Sequence, residues 1–241
     1  MKCAFVSGAS RGIGRGIATA LAANGYALAL TCEKNIDLLH DFCHSLEQEY
    51  GIMARGYACD MGNPDTVAAT VEEIRKTFPS MDVVVNNAGI SYVGLITDLN
   101  VEDWNRIVSV NLSSLFYTTK AFLPDMVHCK SGAIINISSM WGNVGASCEV
   151  AYSATKGGVN AYTKALAKEV APSGITVNAI ACGVIDTDMN GHLDATEKAE
   201  LMEEIPMGRF GTPEDVGQCV IGILSSSYLT GQIITLDGGY L

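Results

Sequence analysis

The chain has 241 residues and a formal net charge of -11, which argues against nucleic acid as a partner because a duplex binder needs a basic face. No apolar run approaches the roughly 20 residues that span a membrane, and the opening Met-Lys-Cys-Ala-Phe-Val is typical of a strand rather than a signal peptide, so we expect a cytoplasmic protein without membrane contact. The eight cysteines include no C-x-x-C pair, which favours reduced thiols and predicts no metal site.

Short apolar runs alternate along the chain with longer amphipathic stretches. The runs predict strands at residues 4–6, 27–31, 53–58, 83–85, 133–137, 176–180 and 233–236. The stretches predict helices at residues 14–23, 36–50, 64–78, 102–127, 151–171 and 213–224. Strands that alternate with helices pair in parallel through right-handed crossovers. We therefore predict an α/β fold, with residues 1–241 forming one Rossmann-type domain whose doubly wound parallel sheet of about seven strands carries helices on both faces.

A glycine-rich loop follows the first predicted strand and opens the first predicted helix. Its glycines have the spacing G-x-x-x-G-x-G. Such glycines permit a tight turn and a close backbone approach, and the helix N-terminus offers unpaired N–H groups to phosphates. We therefore expect this loop to bind the pyrophosphate of a dinucleotide through Gly8, Ser10, Arg11, Gly12, Ile13 and Gly14.

The end of the second predicted strand bears on which dinucleotide binds. An NAD site usually places a carboxylate there against the ribose 2′-OH, but Cys32 occupies that position here and Glu33 follows it. Arg11 and Lys34 offer positive charge to a 2′-phosphate. The balance favours NADP(H), with Cys32 and Lys34 among the cofactor contacts, and Glu33 leaves NAD(H) as the alternative.

Further cofactor contacts are predicted after the third and fourth strands. Asp60 ends the third strand, where it can accept a hydrogen bond from the adenine amine, and Met61 follows it. Asn86 is expected to tie strands together, with an Asx turn as the alternative. Small residues then let the backbone lie along the adenosine ribose at Asn87, Ala88 and Gly89.

Tyr152 and Lys156 carry the strongest catalytic pattern. A spacing of four places them on one face at the start of the helix predicted over 151–171. A neighbouring ammonium stabilises a phenolate and lowers its pKa from about 10 toward the range that general acid–base catalysis needs. Ser139 follows the fifth strand, and Asn111 lies in an apolar helical stretch, where a buried amide needs partners and can hold a kink or a water. The alternative is a half-buried tyrosine beside a surface lysine.

In order and spacing, the motifs resemble those of the short-chain dehydrogenase/reductase family along essentially the whole chain. The resemblance implies that Tyr152 donates a proton to a carbonyl oxygen as hydride arrives, while Ser139 holds that oxygen. It also implies that Lys156 lowers the pKa of Tyr152 and binds the nicotinamide ribose, and that Asn111 positions a relay water. The matching residues are Gly8, Gly12, Gly14, Asn86, Asn87, Ala88, Gly89, Asn111, Ser139, Tyr152 and Lys156.

Within that family the chain is most similar to 3-oxoacyl-(acyl-carrier-protein) reductases, with departures. Cys182 stands where the family usually has proline, which removes a fixed φ from this edge of the site. The residues after it, Gly183, Ile185 and Thr187, are implied to meet the nicotinamide amide. Those reductases often carry a basic residue just before Gly174, where this chain has Ser173, so Lys130 remains as the basic contact for an acidic carrier.

The residues that flank the catalytic motif suggest a second substrate. Trp141 and Glu149 lie in a segment similar to a bacterial branch that reduces a ketone on 5-aminopentanone-modified elongation factor P. An aromatic ring and a carboxylate suit a cationic amine, although loop packing and solvated charge explain them equally well.

A polar, helix-prone segment, residues 190–212, is predicted to be a substrate lid. Apolar residues in or beside it would line a substrate channel or form only the packing face of the lid. They are Met189, Leu193, Leu201, Met202 and Met207.

Together these patterns predict an NADP(H)-preferring oxidoreductase that reduces a ketone to a secondary alcohol, with a 3-oxoacyl thioester of fatty acid biosynthesis as the leading substrate. The aminopentanone-modified factor or a small keto compound is the alternative, and a non-catalytic dinucleotide-binding regulator is a remote one. The substrate is thus a small or carrier-bound carbonyl compound. The family resemblance also implies a homotetramer that associates through 102–127, 151–171 and the C-terminal strand.

Overall fold

The computed structural model describes residues 2–191 and 194–241, which form one parallel sheet between two layers of helices. The sheet has seven strands in the order β3-β2-β1-β4-β5-β6-β7, so the direction of winding reverses between β1 and β4. The strands are β1 (Cys3–Val6), β2 (Ala27–Cys32), β3 (Ala54–Ala58), β4 (Val83–Asn86), β5 (Gly132–Ser139), β6 (Ile175–Cys182) and β7 (Ile233–Leu236). This confirms the predicted doubly wound sheet.

Helices connect the strands and cover both faces of the sheet. Pro64 and Pro213 stand at the first helical positions of α3 and α9, where Asn63 and Thr212 provide side-chain caps, as the sequence suggests. The helices are α1 (Gly12–Ala23), α2 (Ile36–Tyr50), α3 (Pro64–Thr77), α4 (Val101–Val108), α5 (Ser114–Cys129), α6 (Trp141–Val144), α7 (Val150–Val170), α8 (Ala195–Glu204) and α9 (Pro213–Leu224).

The helix predicted as one element over 102–127 is divided. A π-helical turn, Ser109–Ser113, separates α4 from α5 and contains Asn111. The interruption falls at Asn111, the residue that the sequence indicates can hold a kink, although the apolar periodicity itself does not show the break. Single π-turns inside helices are frequent at functional sites, so this irregularity directs attention to Asn111.

Adjacent residues of one strand serve opposite faces of the sheet, which gives two apolar clusters. In β1, Ala4 and Val6 pack with α1, α2 and α9, whereas Cys3 and Phe5 pack with α3, α5 and α7. This alternation explains why strands buried on both faces read as continuous apolar runs. The carboxyl ends of the strands then share one edge of the sheet, where the loops after β1, β2, β4, β5 and β6 meet.

Two findings bear on the expectations from composition. Within residues 2–191 and 194–241, no helix is long and apolar enough to cross a membrane. All eight cysteines lie in the described part of the chain and are free thiols.

Candidate active site

The glycine loop between β1 and α1 has the backbone that its sequence predicts. Gly8 and Gly12 have φ values of 65° and 53°, which side chains rarely adopt. A Cβ on Gly14 would lie 2.2 Å from the Gly8 carbonyl oxygen, so only glycine lets the first turn of α1 approach the loop this closely. Arg11 precedes α1 and provides no side-chain cap, which leaves N–H groups of the first turn for an anion.

The loop after β4 holds this turn in place. The Asn87 side chain donates to the carbonyls of Ser7 and Gly8 at 2.8 and 3.0 Å. The Ser7 hydroxyl in turn accepts from the backbone N–H groups of Asn87 and Ala88, both at 3.0 Å. Asn87, predicted as a cofactor contact, thus has its amide donors on the glycine loop, and Ser7 is a positioning residue that sequence reasoning missed.

At the ends of β2 and β3, acidic side chains gather around one cation. Arg106 of α4 contacts Glu33 at 3.2 Å and both carboxylate oxygens of Asp60 at 2.8 and 2.9 Å. Lys34 is 81% exposed, with its Nζ 3.9 Å from the Glu33 carboxylate, and Cys32 is buried. The sequence placed Glu33, Lys34 and Asp60 here, but it gave no sign of Arg106, which reaches them from a distant helix.

The loop after β6 covers the glycine loop. A Cβ on Gly12 would lie 3.3 Å from Thr187 Cγ2, and Arg11 Nη1 lies 3.3 Å from Asp188 Oδ2. Ile185 is buried and pairs with Gly211 in an isolated bridge. The structure therefore brings the predicted contacts Arg11, Gly12, Ile185 and Thr187 together, at the carboxyl end of the sheet.

Tyr152, Lys156 and Ser139 meet where β5 ends against α7. The Lys156 ammonium is 5.5 Å from the centroid of the Tyr152 ring, as the spacing of four predicts. Lys156 is buried and donates to the Ile137 carbonyl at 2.8 Å, while the Ser139 hydroxyl accepts from the Trp141 N–H at 3.2 Å. Gly89 lies beside the ammonium, since a Cβ built on it would be 3.6 Å from Lys156 Nζ.

Burial is the main influence on the pKa values in this cluster. Burial raises the pKa of Tyr152 above its ordinary value, and a hydrogen bond with Ser139 only partly opposes it. Burial also lowers the pKa of Lys156 to about 8. In the protein without cofactor burial dominates and the Tyr152 pKa is raised, so the expectation that Lys156 lowers it stays a prediction.

The buried side chain of Asn111 forms hydrogen bonds with the loop after β4. Its carbonyl oxygen accepts from the Ile90 N–H and its amide donates to the Ile90 carbonyl, both at 2.8 Å, with a further contact to Thr155 Oγ1 at 3.3 Å. This pairing accounts for the π-turn around Asn111, because the helix distorts where its side chain holds a neighbouring loop. A role in positioning a relay water stays a prediction, and the side chain itself is already satisfied.

A buried polar network fixes the orientation of β5 against α7. Asn86 donates to Asn136 at 2.8 Å, which confirms that it ties strands together, and Asn136 donates to Thr163 at 2.9 Å. The Ser138 hydroxyl donates to Asn160 at 2.7 Å. Ser139, the last residue of β5, also meets α7, where its side chain hydrogen-bonds with Tyr152.

Comparison with known proteins places these features in one family. A family model described as Enoyl-(Acyl carrier protein) reductase matches residues 8–241. The chain belongs to the short-chain dehydrogenase/reductase family. It is 40% identical over 241 residues to "Uncharacterized oxidoreductase YmfI" of Bacillus subtilis, covering 99% of this chain and 98% of that protein.

Solved and curated reductases of this family support the same placement. The chain is 38% identical to 3-oxoacyl-(acyl-carrier-protein) reductase of Aquifex aeolicus, over 99% of this chain and 96% of that protein. The crystal structure of 3-oxoacyl-(acyl-carrier protein) reductase from Brucella melitensis has a TM-score of 0.92 and 34% identity, covering 100% of this chain and 91% of that one. The chain is therefore an oxidoreductase with the fold and sequence pattern of these enzymes.

Members of the short-chain dehydrogenase/reductase family generally bind a nicotinamide dinucleotide, and the residues present here fit one. The N-terminus of α1 and the cradle at Gly8 and Gly14 suit a pyrophosphate. Glu33 and Asp60 stand at the adenosine end, and the Lys156 ammonium lies at the other end beside Tyr152. These features span the carboxyl edge of the sheet at its switch point, where dinucleotides bind in such folds.

Several segments of chain contact one another next to Ser139 and Tyr152, in a region that we call the mouth of the site. Trp141, two residues after Ser139, packs edge-on against Tyr240 with ring centroids 6.3 Å apart. The Tyr240 hydroxyl donates to Glu204 of α8 at 2.7 Å. Glu149 lies at the start of α7, where its carboxylate accepts from the Ser91 hydroxyl at 3.3 Å. The first two contacts connect the C-terminus, the loop after β5 and α8, and the third joins the start of α7 to the loop after β4.

The segment predicted as a lid contains α8, as its helix-prone sequence suggests. Asp194 and Glu197 form a capping box at its start. Of the apolar residues expected to line a channel, Met189 and Met207 are exposed, Leu201 and Met202 are half-buried, and Leu193 lies outside the described residues. The buried anchors of this segment are instead Ile205 and Phe210.

Proposed function

We propose that the protein reduces a ketone to a secondary alcohol with NADPH, and that a 3-oxoacyl thioester is its leading substrate. The observation that carries the proposal is the joint presence of Ser139, Tyr152 and buried Lys156 beside an open phosphate-binding loop. Close relatives named as 3-oxoacyl-(acyl-carrier-protein) reductases support the thioester.

The roles of the residues follow from their protonation. The Tyr152 phenol is protonated near neutral pH and is placed to donate a proton to the carbonyl oxygen, although burial raises its pKa and makes it a weaker acid in the protein without cofactor. Ser139 is placed to hold the same oxygen, and the Lys156 ammonium opposes the negative charge that develops on the phenol. Reduced nicotinamide supplies the hydride to the carbonyl carbon when it is bound.

Preference for NADPH rests on the charge near the adenosine end. Arg11 and Lys34 are exposed cations at the glycine loop and after β2, where a 2′-phosphate would lie. Glu33 is the residue that favours NADH instead, and its contact with Arg106 reduces its negative field.

A second substrate class is favoured by one observation at the mouth. Glu149 is half-buried beside Ser91, and its charge adds to the burial that chiefly raises the pKa of Tyr152. A carboxylate at that position suits a ketone that carries an ammonium, such as 5-aminopentanone-modified elongation factor P. The same carboxylate would repel a carrier that is itself acidic.

One assay separates these candidates. The protein is mixed with NADPH or NADH and with 3-oxoacyl thioesters, 5-amino-2-pentanone or 2-pentanone, and oxidation of the cofactor is followed by absorbance. We expect the thioesters to react fastest, with NADPH preferred. A preference for the amino ketone over 2-pentanone that Glu149→Gln removes would favour the second class. Tight NADPH binding without oxidation by any carbonyl would indicate a non-catalytic regulator and contradict the proposal.

We also propose that the protein is a homotetramer, as its family resemblance implies. An apolar groove runs between α5 and α7, lined by Phe116, Leu123, Tyr162 and Leu166. Phe116 is 53% exposed there, and exposed apolar surface of this kind favours association. Light scattering that gave a monomer at micromolar concentration would contradict this part of the proposal.

A further inference from the structure

Arg106 occupies an unusual place at the adenosine end of the site. It belongs to α4, yet its guanidinium spans the carboxyl ends of two neighbouring strands. One nitrogen, Nη1, contacts both Asp60 oxygens at 2.8 and 2.9 Å, and the other, Nη2, lies 3.2 Å from Glu33 Oε2. Because the guanidinium is planar, anchoring Nη1 on Asp60 fixes the direction in which Nη2 points.

The backbone around Arg106 is shaped to admit it. A Cβ on Gly62 would lie 2.7 Å from Arg106 Nη1, so glycine leaves the room that the guanidinium fills. The Gly62 N–H also donates to Asp60 Oδ1 at 2.9 Å, which holds the carboxylate toward Arg106. The ion pair is therefore a built feature of this edge of the sheet rather than a chance contact between long side chains.

Glu33 stands one residue after Cys32, the position at the end of β2 from which an acidic side chain in such folds binds the ribose hydroxyls of NAD, so its carboxylate is within reach of the ribose. The same carboxylate would repel the 2′-phosphate of NADP. Two cations flank it, but Lys34 is 81% exposed and 3.9 Å away, whereas Arg106 is closer and 35% exposed. Arg106 is thus the stronger neutralising partner of Glu33.

We propose that Arg106 sets the choice between NADP(H) and NAD(H) by neutralising Glu33 and holding it aside. The inference rests on the proposed function, because it concerns the cofactor of that reaction. Arg106 is a specificity-determining residue that acts through Glu33, and it does not contact the 2′-phosphate itself. Without Arg106, Glu33 turns to the ribose hydroxyls and the protein shifts toward NAD(H).

The test compares nucleotides that differ only in the 2′-phosphate. Isothermal titration calorimetry measures the dissociation constants of adenosine 2′,5′-bisphosphate and AMP, and then of NADP⁺ and NAD⁺. Wild type is expected to prefer the 2′-phosphorylated member of each pair. Arg106→Met keeps the side-chain stem without charge, and we expect its preference to fall at least about fivefold, the effect of one charge near a phosphate at a partly exposed site.

A matched control and a double variant test whether Arg106 acts on the cofactor preference through Glu33. Arg75 is also a half-exposed arginine between two carboxylates, 36% exposed and paired with Glu72 and Asp125 on the α3 side, so Arg75→Met should leave the preference unchanged. In a Glu33→Gln background, Arg106→Met should change the preference less than about twofold, because the charge it neutralises is gone. Rates with NADPH and NADH should follow the binding ratios.

Several outcomes overturn the inference. The inference is wrong if Arg106→Met prefers the 2′-phosphorylated nucleotides as strongly as wild type does. It is also wrong if Arg106→Met lowers this preference equally with and without the Glu33→Gln change, since Arg106 would then contact the phosphate or act through Asp60 alone. If Arg106→Met does not fold, Arg106→Lys replaces it, since one ammonium cannot hold both carboxylates and should give an intermediate shift. If wild type binds no nicotinamide nucleotide, the proposed function falls as well.

Discussion

The catalytic cluster and the proposed lid differ in how they are attached to the molecule. Lys156 is 4% exposed and bonded to the backbone of β5, and its neighbours sit on a buried polar network. Helix α8 contains no buried residue and is held by the Tyr240–Glu204 bond and by the buried side chains that follow it. The first region is fixed by the core, and the second rests on the surface.

This difference separates the chemistry from the choice of substrate. Buried groups with several partners have one arrangement, because any other leaves polar atoms unsatisfied. A surface helix with few contacts opens at small cost and tolerates replacement, which suits a segment that admits and selects substrates. We therefore expect changes in the cluster to abolish turnover and changes in the lid to alter its efficiency by small factors.

The largest effect should come from removing the Tyr152 hydroxyl. Tyr152→Phe keeps the ring beside Lys156 but removes the proton donor, and general acid catalysis typically contributes about 10²–10⁴-fold. We expect kcat for ketone reduction to fall by at least about 10²-fold, with little change in NADPH affinity. Steady-state kinetics and calorimetry with the same preparation measure both.

Tyr162→Phe is the matched control for that variant. Tyr162 lies on the same helix, and its hydroxyl donates to the Leu115 carbonyl at 3.4 Å, away from Ser139. Its loss should leave kcat unchanged within about twofold. Near-full activity in Tyr152→Phe would remove Tyr152 from the role of proton donor.

The cluster could be predicted from sequence because its parts are local. Tyr152 and Lys156 share one helical face, and the glycine loop is a continuous segment between a strand and a helix, so spacing alone predicts their geometry. The Arg106–Asp60 pair could not be predicted, since its members are 46 residues apart and nothing in α4 distinguishes Arg106 from a surface charge. The raised pKa of Tyr152 also escaped prediction, because burial depends on the whole packing.

The lid was predicted only in outline. Its polar, helix-prone composition predicts a helix, and α8 is present. Its tie to Tyr240 depends on where the C-terminus returns after β7, which no local pattern shows. Sequence therefore predicts a surface segment better in its secondary structure than in its contacts.

The next largest effect is the pH dependence of kcat/KM, which should be changed by variants of the catalytic cluster and not by variants that affect the lid. Burial lowers the pKa of Lys156 to about 8, so the ammonium is present below that pH and is lost above it. The raised pKa of Tyr152 keeps the phenol protonated across this range. We expect kcat/KM for the reduced cofactor, which reports the free enzyme, to be level below pH 8 and to fall up to about tenfold per pH unit above it.

Two variants sharpen the assignment. Lys156→Arg carries a guanidinium with a pKa above about 12, so whatever activity remains should not decline above pH 8. Tyr240→Phe, which removes only a contact with the lid at Glu204, should leave the pH profile unchanged. A wild-type profile that stayed level up to about 10.4, the pKa of a free lysine, would contradict the assignment of the decline to Lys156.

The smallest effect should come from releasing the lid. Tyr240→Phe removes the hydroxyl that donates to Glu204 at 2.7 Å but keeps the ring that packs against Trp141. A hydrogen bond at an exposed site contributes about 1 kcal/mol, so the closed position should lose about fivefold in population. Amides of Ala195–Glu204 should then exchange hydrogen faster, and KM for the ketone should rise about two- to fivefold with kcat/KM for NADPH unchanged.

Tyr228→Phe is the control, because that side chain is fully exposed. Equal rates of amide hydrogen exchange in both variants would mean that Ile205 and Phe210 alone hold α8. The difference between the fixed catalytic cluster and the weakly held lid would then depend on packing rather than on the Tyr240 hydrogen bond.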